Sequence, residues 1–488
     1  MAAAPVRAGA ASLTCRHRGA RTRAEITPVE PDPVRTGEGR AVSDTPSWGI
    51  EPVPERLRVL GPLDTLLLWT NLGVSLLVLV SASYFGLSLK QALLATIVGG
   101  LIGNTMLAVA ATIGADARVP TMALQRAPLG QRGSYLATVL NVLQCLGWSV
   151  FEITVIATAA AALSDRVFGF HATWVWKLVF GAVGLALALM GPIGFVRRFV
   201  RKIGIWAVAA SIIYLAVWIL RNGHVGTLWH RGGQGGSFWL ATDLVIALTV
   251  SWVPLVADYT RFSRDRRSAF WGAGIGYLLP TLFQFGFGSI LVLSHPSIDG
   301  PTAVLTTVAA GGVGSILALL ALTVDETDEA FANLYSTAVS LQNLVPRASQ
   351  RLLIVGVGVL ATAISLGVDL TRYQQFLLLL GAFFVPLFGV LLADWIVAGF
   401  HYEPSDVFRG PPFRPGMIAA WLIGFCLYEW IAQTSGLGFW SDFLGRLHPP
   451  HGGIGASLPS FGVSFALALA VSLVGRRSSV GMPLDVRE

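Results

Sequence analysis

The stretch Asp325-Glu326-Thr327-Asp328-Glu329 sets four carboxylates in five residues inside a segment that otherwise reads as a membrane helix. Residues Gly312 to Thr323 before it are apolar, and Ala330 to Leu344 after it continue at helical spacing. A charge near the bilayer centre costs about 2.5–3.5 kcal/mol on insertion scales. A chain that keeps several there is expected to use them, as a cation, proton or substrate site facing the interior of a helix bundle.

The rest of the chain has the composition of such a bundle. Of its 488 residues, 54% are hydrophobic and only 12% are charged, and the mean hydropathy is +0.65. A span needs roughly 20 apolar residues. Twelve such runs occur, at about 63–84, 89–113, 135–163, 173–191, 203–220, 238–257, 271–293, 313–344, 352–368, 373–393, 416–434 and 459–475. Spans 3 and 8 are long, so tilt, a break or an extension beyond the bilayer is expected. With the N-terminus inside, 27 of the 34 Lys and Arg residues fall on the inner side. That bias puts both termini in the cytoplasm and explains the net charge of +7 as a topology signal, not as a nucleic-acid signal. The sequence thus predicts an all-α polytopic protein of the cell membrane. A tail covers 1–55, the transmembrane domain 56–475 and a second tail 476–488. The first tail is Ala-, Arg- and Pro-rich, without an acidic residue before Glu25, and reads as disordered. Cys15, Cys145 and Cys426 offer no disulfide framework or metal-ligand spacing; the last two read as buried thiols.

Polar residues within the spans carry the functional information. In span 8, Asp325, Asp328, Glu329, Ala332, Asn333 and Ser336 share one helical face, extended by Ser340 and Asn343. Glu326 lies off that stripe and reads as solvated or ion-paired. The alternative is a short loop that splits the span and puts the acids at the surface. In span 3, Asn141, Gln144, Trp148 and Glu152 form a second stripe. Trp148 can stack on a flat heteroaromatic ring while Glu152 accepts hydrogen bonds from ring-edge N–H groups. In span 1, Thr70-Asn71-Leu72-Gly73-Val74-Ser75 interrupts an apolar run, and in span 6 Thr249-Val250-Ser251-Trp252-Val253-Pro254 does the same. Breaks five spans apart point to two repeats, about 63–220 and 238–393, each with a discontinuous first helix, followed by extra helices at about 416–475. Asp258 and Arg261 are expected to make ion pairs or helix-end contacts at the inner face.

Several motifs resemble the nucleobase–cation symporter-1 family of purine, cytosine, allantoin and hydantoin permeases. They are Arg132-Gly133-Ser134-Tyr135 before span 3, Gly147-Trp148 with Glu152, Ala257-Asp258-Tyr259-Thr260-Arg261-Phe262 after span 6, and Asn333-Leu334-Tyr335-Ser336 in span 8. The resemblance covers about residues 55–475. It implies a LeuT-type inverted repeat, spans 1–5 against 6–10, with two helices outside it. It also implies a substrate site of Trp148, Glu152, Glu329 and Asn333, with Ser75 at the span 1 break. The family's second stacking aromatic falls at Thr249 here, so Trp252 is the substitute. The cation site of sodium-coupled members matches Asn71 and Val74 in span 1 and Thr327 and Asp328 in span 8, with Asp325 one turn before. Asp328 replaces a hydroxyl by a carboxylate, which keeps both Na+ and H+ open as coupling ion. Within the family the chain looks nearest to the branch assigned to hydroxymethylpyrimidine, the thiamine precursor, with cytosine a close competitor.

These residues predict a secondary-active importer of a pyrimidine-type nucleobase coupled to a Na+ or H+ gradient by alternating access. The competing reading is a permease of the same fold for allantoin, hydantoin, a purine or an amino acid. No nucleophile motif, phosphate loop or transition-metal cluster argues for an enzyme. No cofactor other than the coupling ion, no nucleic acid and no required protein partner is expected, only the small-molecule substrate and the lipid bilayer.

Overall fold

The computed structural model describes residues 49–190, 205–432, 438–447 and 455–480. Each of the twelve runs is helical where it is described. Six helices are individually long and apolar enough to cross a membrane: Leu89–Ala117, Ser134–Phe168, Arg266–Ser294, Leu370–Val397, Pro415–Ala432 and Ser457–Val474. Span 1 is a broken pair, Pro62–Leu72 and Leu76–Tyr84, bent by 52°. Shorter helices fill the other places: Thr173–Ala188 (span 4), Ile205–Asn222 (span 5), Phe238–Val250 (span 6) and Gln350–Ser365 (span 9). Span 8 is Val313–Asp325 followed by Thr327–Leu344. A helix at Pro301–Ala310, between spans 7 and 8, was not predicted.

Local chemistry explains both breaks. Span 1 starts with Pro62 at its first turn, and Asp64 accepts a hydrogen bond from the Gly61 N–H at 3.2 Å. It ends where Ser75 turns to an extended conformation (φ −140°, ψ 138°) and its hydroxyl caps Leu77 N at 3.1 Å. Gly73 is required there by packing: a Cβ would lie 2.5 Å from Pro280 Cγ of span 7. Span 6 stops at Val250, passes Pro254 and resumes as Val256–Thr260.

The packing repeats itself. Span 1 packs on span 7, and span 6 on span 2. Span 3 packs on spans 4 and 9, while span 8 packs on spans 9 and 4. Spans 2 and 7, 3 and 8, and 4 and 9 pack on each other. Adding five to every span number exchanges these contacts, which is the signature of two repeats related by a pseudo-twofold axis.

The long span 3 extends as one helix of 35 residues, roughly 50 Å at the helical rise. Span 8 keeps right-handed helical geometry through Glu326, whose N–H still reaches Leu322 O at 2.9 Å. Glu326 and Glu329 therefore lie within the bundle. The surface-loop alternative fails because Glu326 and Glu329 are buried.

The loops expected on one side do meet at one end. Arg58 Nε donates to Ser263 O at 2.9 Å, Arg414 Nη1 to Ala127 O at 2.7 Å, and Arg126 Nε to Asn343 Oδ1 at 2.7 Å. Asp116 accepts from His401 Nδ1 at 2.7 Å, Trp395 Nε1 at 3.2 Å and Tyr402 N at 3.1 Å, and pairs with Arg266. Asp258 Oδ1 accepts from Thr121 N at 3.0 Å, and Arg261 Nη1 donates to Gly49 O at 2.8 Å.

Two sequence expectations need correction. The tail does not run to residue 55, because Val53 N donates to Arg118 O at 2.9 Å and Glu55 pairs with Arg118 at 2.7 Å. Residues 49–55 are thus part of the fold; residues 1–48 lie outside the described part, as do 481–488. Cys145 is buried as expected, but Cys426 is exposed on the outer face of span 11.

Two cross-span caps tie the extremities together. Lys177 of span 4 donates to Ser365 O (2.6 Å) and Val368 O (2.9 Å) at the end of span 9. Asp243 of span 6 accepts from Ala456 N (2.6 Å) and Ser457 N (3.1 Å) at the start of span 12. Asp243→Ala removes this cap and is expected to destabilise the protein by about 1–2 kcal/mol. A lowered melting temperature in detergent checks it; an unchanged one contradicts the capping role.

Candidate functional site

The site begins at the span 1 break. Breaking a helix frees backbone groups that the bilayer cannot satisfy. Two side chains from other spans take them up. Gln284 of span 7 accepts from Ser75 N at 3.0 Å and donates to Ser75 O at 2.9 Å. Glu326 of span 8 accepts from the Ser75 hydroxyl and from Leu76 N, both at 2.6 Å. The half-helix after the break is thereby clamped to spans 7 and 8.

Glu326 is the member of the acidic run that the sequence reading set aside, and that reading was wrong. Glu326 lies three residues before Glu329 and seven before Asn333, so two turns of helix bring all three onto one face. Gln284 was missed altogether. Its signal was present as a lone amide in the apolar run Leu278 to Val292. The side chains of Asp325 and Asp328 lie outside the described residues.

Glu152, Glu326 and Glu329 converge. One carboxylate oxygen from each lies within 4.8 Å of the others, and all three residues are buried. At that separation two full negative charges repel by about 3 kcal/mol even with an effective dielectric constant of ~20. The arrangement therefore calls for a positive charge, as a proton or a cation. The donor set is entirely oxygen, which suits hard cations. Among the described residues, neither Glu152 oxygen meets a donor outside the other two carboxyls.

Beside the carboxyls lies a narrow cavity with room for about one water molecule. Five of the six residues expected to touch substrate line it: Ser75, Trp148, Trp252, Glu329 and Asn333. The sixth, Glu152, stands behind Glu329 rather than on the wall. Tyr277 of span 7 and Tyr373 of span 10 complete the lining with Leu77, Val78, Leu248 and Leu255. Both tryptophans are held by edge contacts. The Trp148 ring lies 5.8 Å from Tyr373 and 5.5 Å from Phe376, and the Trp252 ring 5.7 Å from Trp69 and 6.0 Å from Tyr277. Trp252 lines the cavity, whereas Thr249 does not and is buried against span 2. The remaining stripe residues orient the walls. Asn141 donates to Ser340 Oγ at 2.8 Å, and Gln144 donates to Ser251 O at the span 6 break at 2.7 Å. Asn333 Nδ2 donates to Glu329 O at 3.0 Å.

The expected cation positions do not join this cluster as a set. Asn71 and Val74 border an apolar cavity with Ile212, Ile213, Pro280 and Phe283 of spans 5 and 7. The Asn71 carbonyl accepts from Val74 N at 3.1 Å, inside the turn of the break. Thr327 is buried and its hydroxyl donates to Val324 O at 2.7 Å.

Comparison with known proteins agrees with the geometry. The sequence profile described as a permease for cytosine/purines, uracil, thiamine and allantoin matches residues 52–411. The cytosine permease of Escherichia coli K12 is 23% identical over 349 residues, 71% of this chain and 80% of that protein. The hydantoin permease of Microbacterium maritypicum is 23% identical over 370 residues, 70% of this chain and 73% of that protein. Among solved structures, Mhp1, a nucleobase-cation-symport-1 family transporter in a closed conformation with bromovinylhydantoin bound, superposes with a TM-score of 0.71. The match is 17% identical and covers 89% of this chain and 96% of Mhp1. MhsT in complex with L-phenylalanine superposes with a TM-score of 0.55 at 15% identity, covering 86% of this chain and 98% of MhsT. The fold is the expected LeuT-type inverted repeat. The chain is a multi-pass membrane transporter, not an enzyme, and belongs to the nucleobase–cation symporter family of permeases for cytosine/purines, uracil, thiamine and allantoin.

Proposed function

We propose that the protein imports an aminopyrimidine-type nucleobase, hydroxymethylpyrimidine or cytosine, against its gradient by alternating access, coupled to a Na+ or H+ gradient. The observation that carries this reading is the cavity lined by Trp148, Trp252, Glu329 and Asn333. Two indoles can sandwich a flat ring, and base–aromatic stacking contributes about 1–3 kcal/mol per contact. The ring edge then meets Glu329 and Asn333. An exocyclic NH2 donates to a carboxylate; a carbonyl at the same place, as in uracil, would face acceptor against acceptor. A buried acceptor left without its donor rejects such an analogue strongly.

The relatives fit this reading at the level of their names, which include cytosine and purine-cytosine permeases. A hydantoin is the second reading, because the hydantoin permease is equally similar at 23% and a hydantoin N–H can also donate to a carboxylate. By the positive-inside bias, we take the end of the bundle that carries the basic loops, and both termini, as cytoplasmic in a cell membrane.

The reading is tested by thermal stabilisation of the purified protein with cytosine, hydroxymethylpyrimidine, thiamine, uracil, allantoin and hydantoin, with and without sodium. Hydroxymethylpyrimidine and cytosine are expected to stabilise most, and uracil least. Equal or greater stabilisation by allantoin, hydantoin or uracil would replace the aminopyrimidine by that class. Trp148→Ala is expected to weaken binding of the best ligand by roughly 5- to 100-fold, the loss of one stacking contact, while Trp148→Phe retains most of it. Glu329→Gln is expected to weaken cytosine at least tenfold and uracil much less, read by the same titrations; a uniform loss would mean that Glu329 does not read the ring edge.

A further inference from the structure

We propose that Glu152 is a proton-binding residue, which holds its proton against Glu326 and Glu329 and thereby sets whether the broken span 1 is clamped to span 8. Its role in coupling rests on the transport reading above; the proton site itself rests on the geometry of three side chains.

The three acids are not equivalent. Glu326 accepts with both oxygens, one from the Ser75 hydroxyl and one from Leu76 N, each at 2.6 Å. Such short bonds, shared between two oxygens, are those of an ionised carboxylate. Protonating Glu326 would compete with one of them. Glu152 is the opposite case. It is fully buried, at 0% exposure, and among the described residues no hydroxyl, amide or backbone N–H reaches either oxygen. A buried carboxylate with no donor is unfavourable by several kcal/mol. The same group, once protonated, becomes a donor that faces two acceptors within 4.8 Å. The charged groups bearing on Glu152 are Glu329 and Glu326 of span 8; the hydroxyls of Tyr277 from span 7 and Tyr373 from span 10 also feel it.

The step is balanced simply. One H+ from water forms an O–H bond at a Glu152 oxygen on loading, and the same bond breaks to return H+ to water on release. Loading lowers the negative charge of the trio by one. Release restores a Glu152 carboxylate beside Glu326, and their repulsion, about 3 kcal/mol at this distance, acts on the residue that holds Ser75 and Leu76. The proton thus strengthens the clamp on the half-helix, and its loss weakens it. Glu329 is shared with the substrate cavity, so proton and substrate act on one cluster. This site differs from the span 1 positions expected for sodium, Asn71 and Val74, which face spans 5 and 7.

Infrared spectroscopy of the full-length protein in sodium-free liposomes tests this without any substrate. The expected result is a protonated-carboxyl C=O band that shifts in D2O and is missing from Glu152→Gln. An identical band in Glu152→Gln overturns the proposal. Should that variant not fold, the wild type decides alone. Its band is expected to be indifferent to exchange of choline chloride for sodium chloride and to calcium or manganese at constant pH. Loss of the band on adding one of these ions makes the trio a metal-cation site and overturns the proposal. A wild type that shows the band but is stabilised by none of the six compounds loses the substrate reading and keeps the proton site; ligand stabilisation without the band has the reverse meaning.

Discussion

A break in a membrane helix is tolerable only if other parts of the protein satisfy its freed backbone groups. Here that constraint is met by two side chains. Gln284 takes the N–H and the carbonyl of Ser75, and Glu326 takes the Ser75 hydroxyl and Leu76 N. The bend of 52° in span 1 depends on them. So does the cavity, because Ser75, Leu77 and Val78 reach its wall only after the chain has turned.

The second break follows a related logic with weaker means. Span 6 stops at Val250, and its freed Ser251 carbonyl accepts from Gln144 of span 3 at 2.7 Å. Trp252 then projects toward Trp69 and Tyr277. A single span 3 stripe thus serves three purposes. Asn141 fixes span 8, Gln144 fixes span 6, and Trp148 with Glu152 faces the site. Span 8 thus holds the span 1 break through Glu326, and span 3 holds the span 6 break through Gln144.

The acidic cluster meets one of these breaks. Carboxyls in a low-dielectric interior are costly unless something neutralises them. Two of the three are on span 8 and one on span 3. Glu326 also holds the span 1 break, so the cluster and the break share one side chain.

Much of this was legible in the sequence because membrane helices announce themselves. Apolar runs of fixed length gave the twelve spans, Gly73, Pro254 and the polar residues around them gave the two breaks, and helical spacing put Trp148 with Glu152 and Glu329 with Asn333. Residues five spans apart in a pattern of breaks also fixed the repeat. The partners were not legible. Helical periodicity reports which residues share a face, but the face of span 8 that meets span 1 is decided by tertiary packing, and only there does Glu326 join Glu329 and Glu152. Gln284 looked like any isolated amide until span 7 was laid against the break. Trp252, past the end of the first half of span 6, meets Trp69 and Tyr277 only in the folded bundle, and no local rule sets those contacts. The sequence by itself determined where the apolar runs lie, where two of them break and that several carboxylates fall within one of them; the tertiary structure alone decided which charges meet, because the energy of a buried carboxylate depends on the few ångströms to its neighbours and not on its place in the chain.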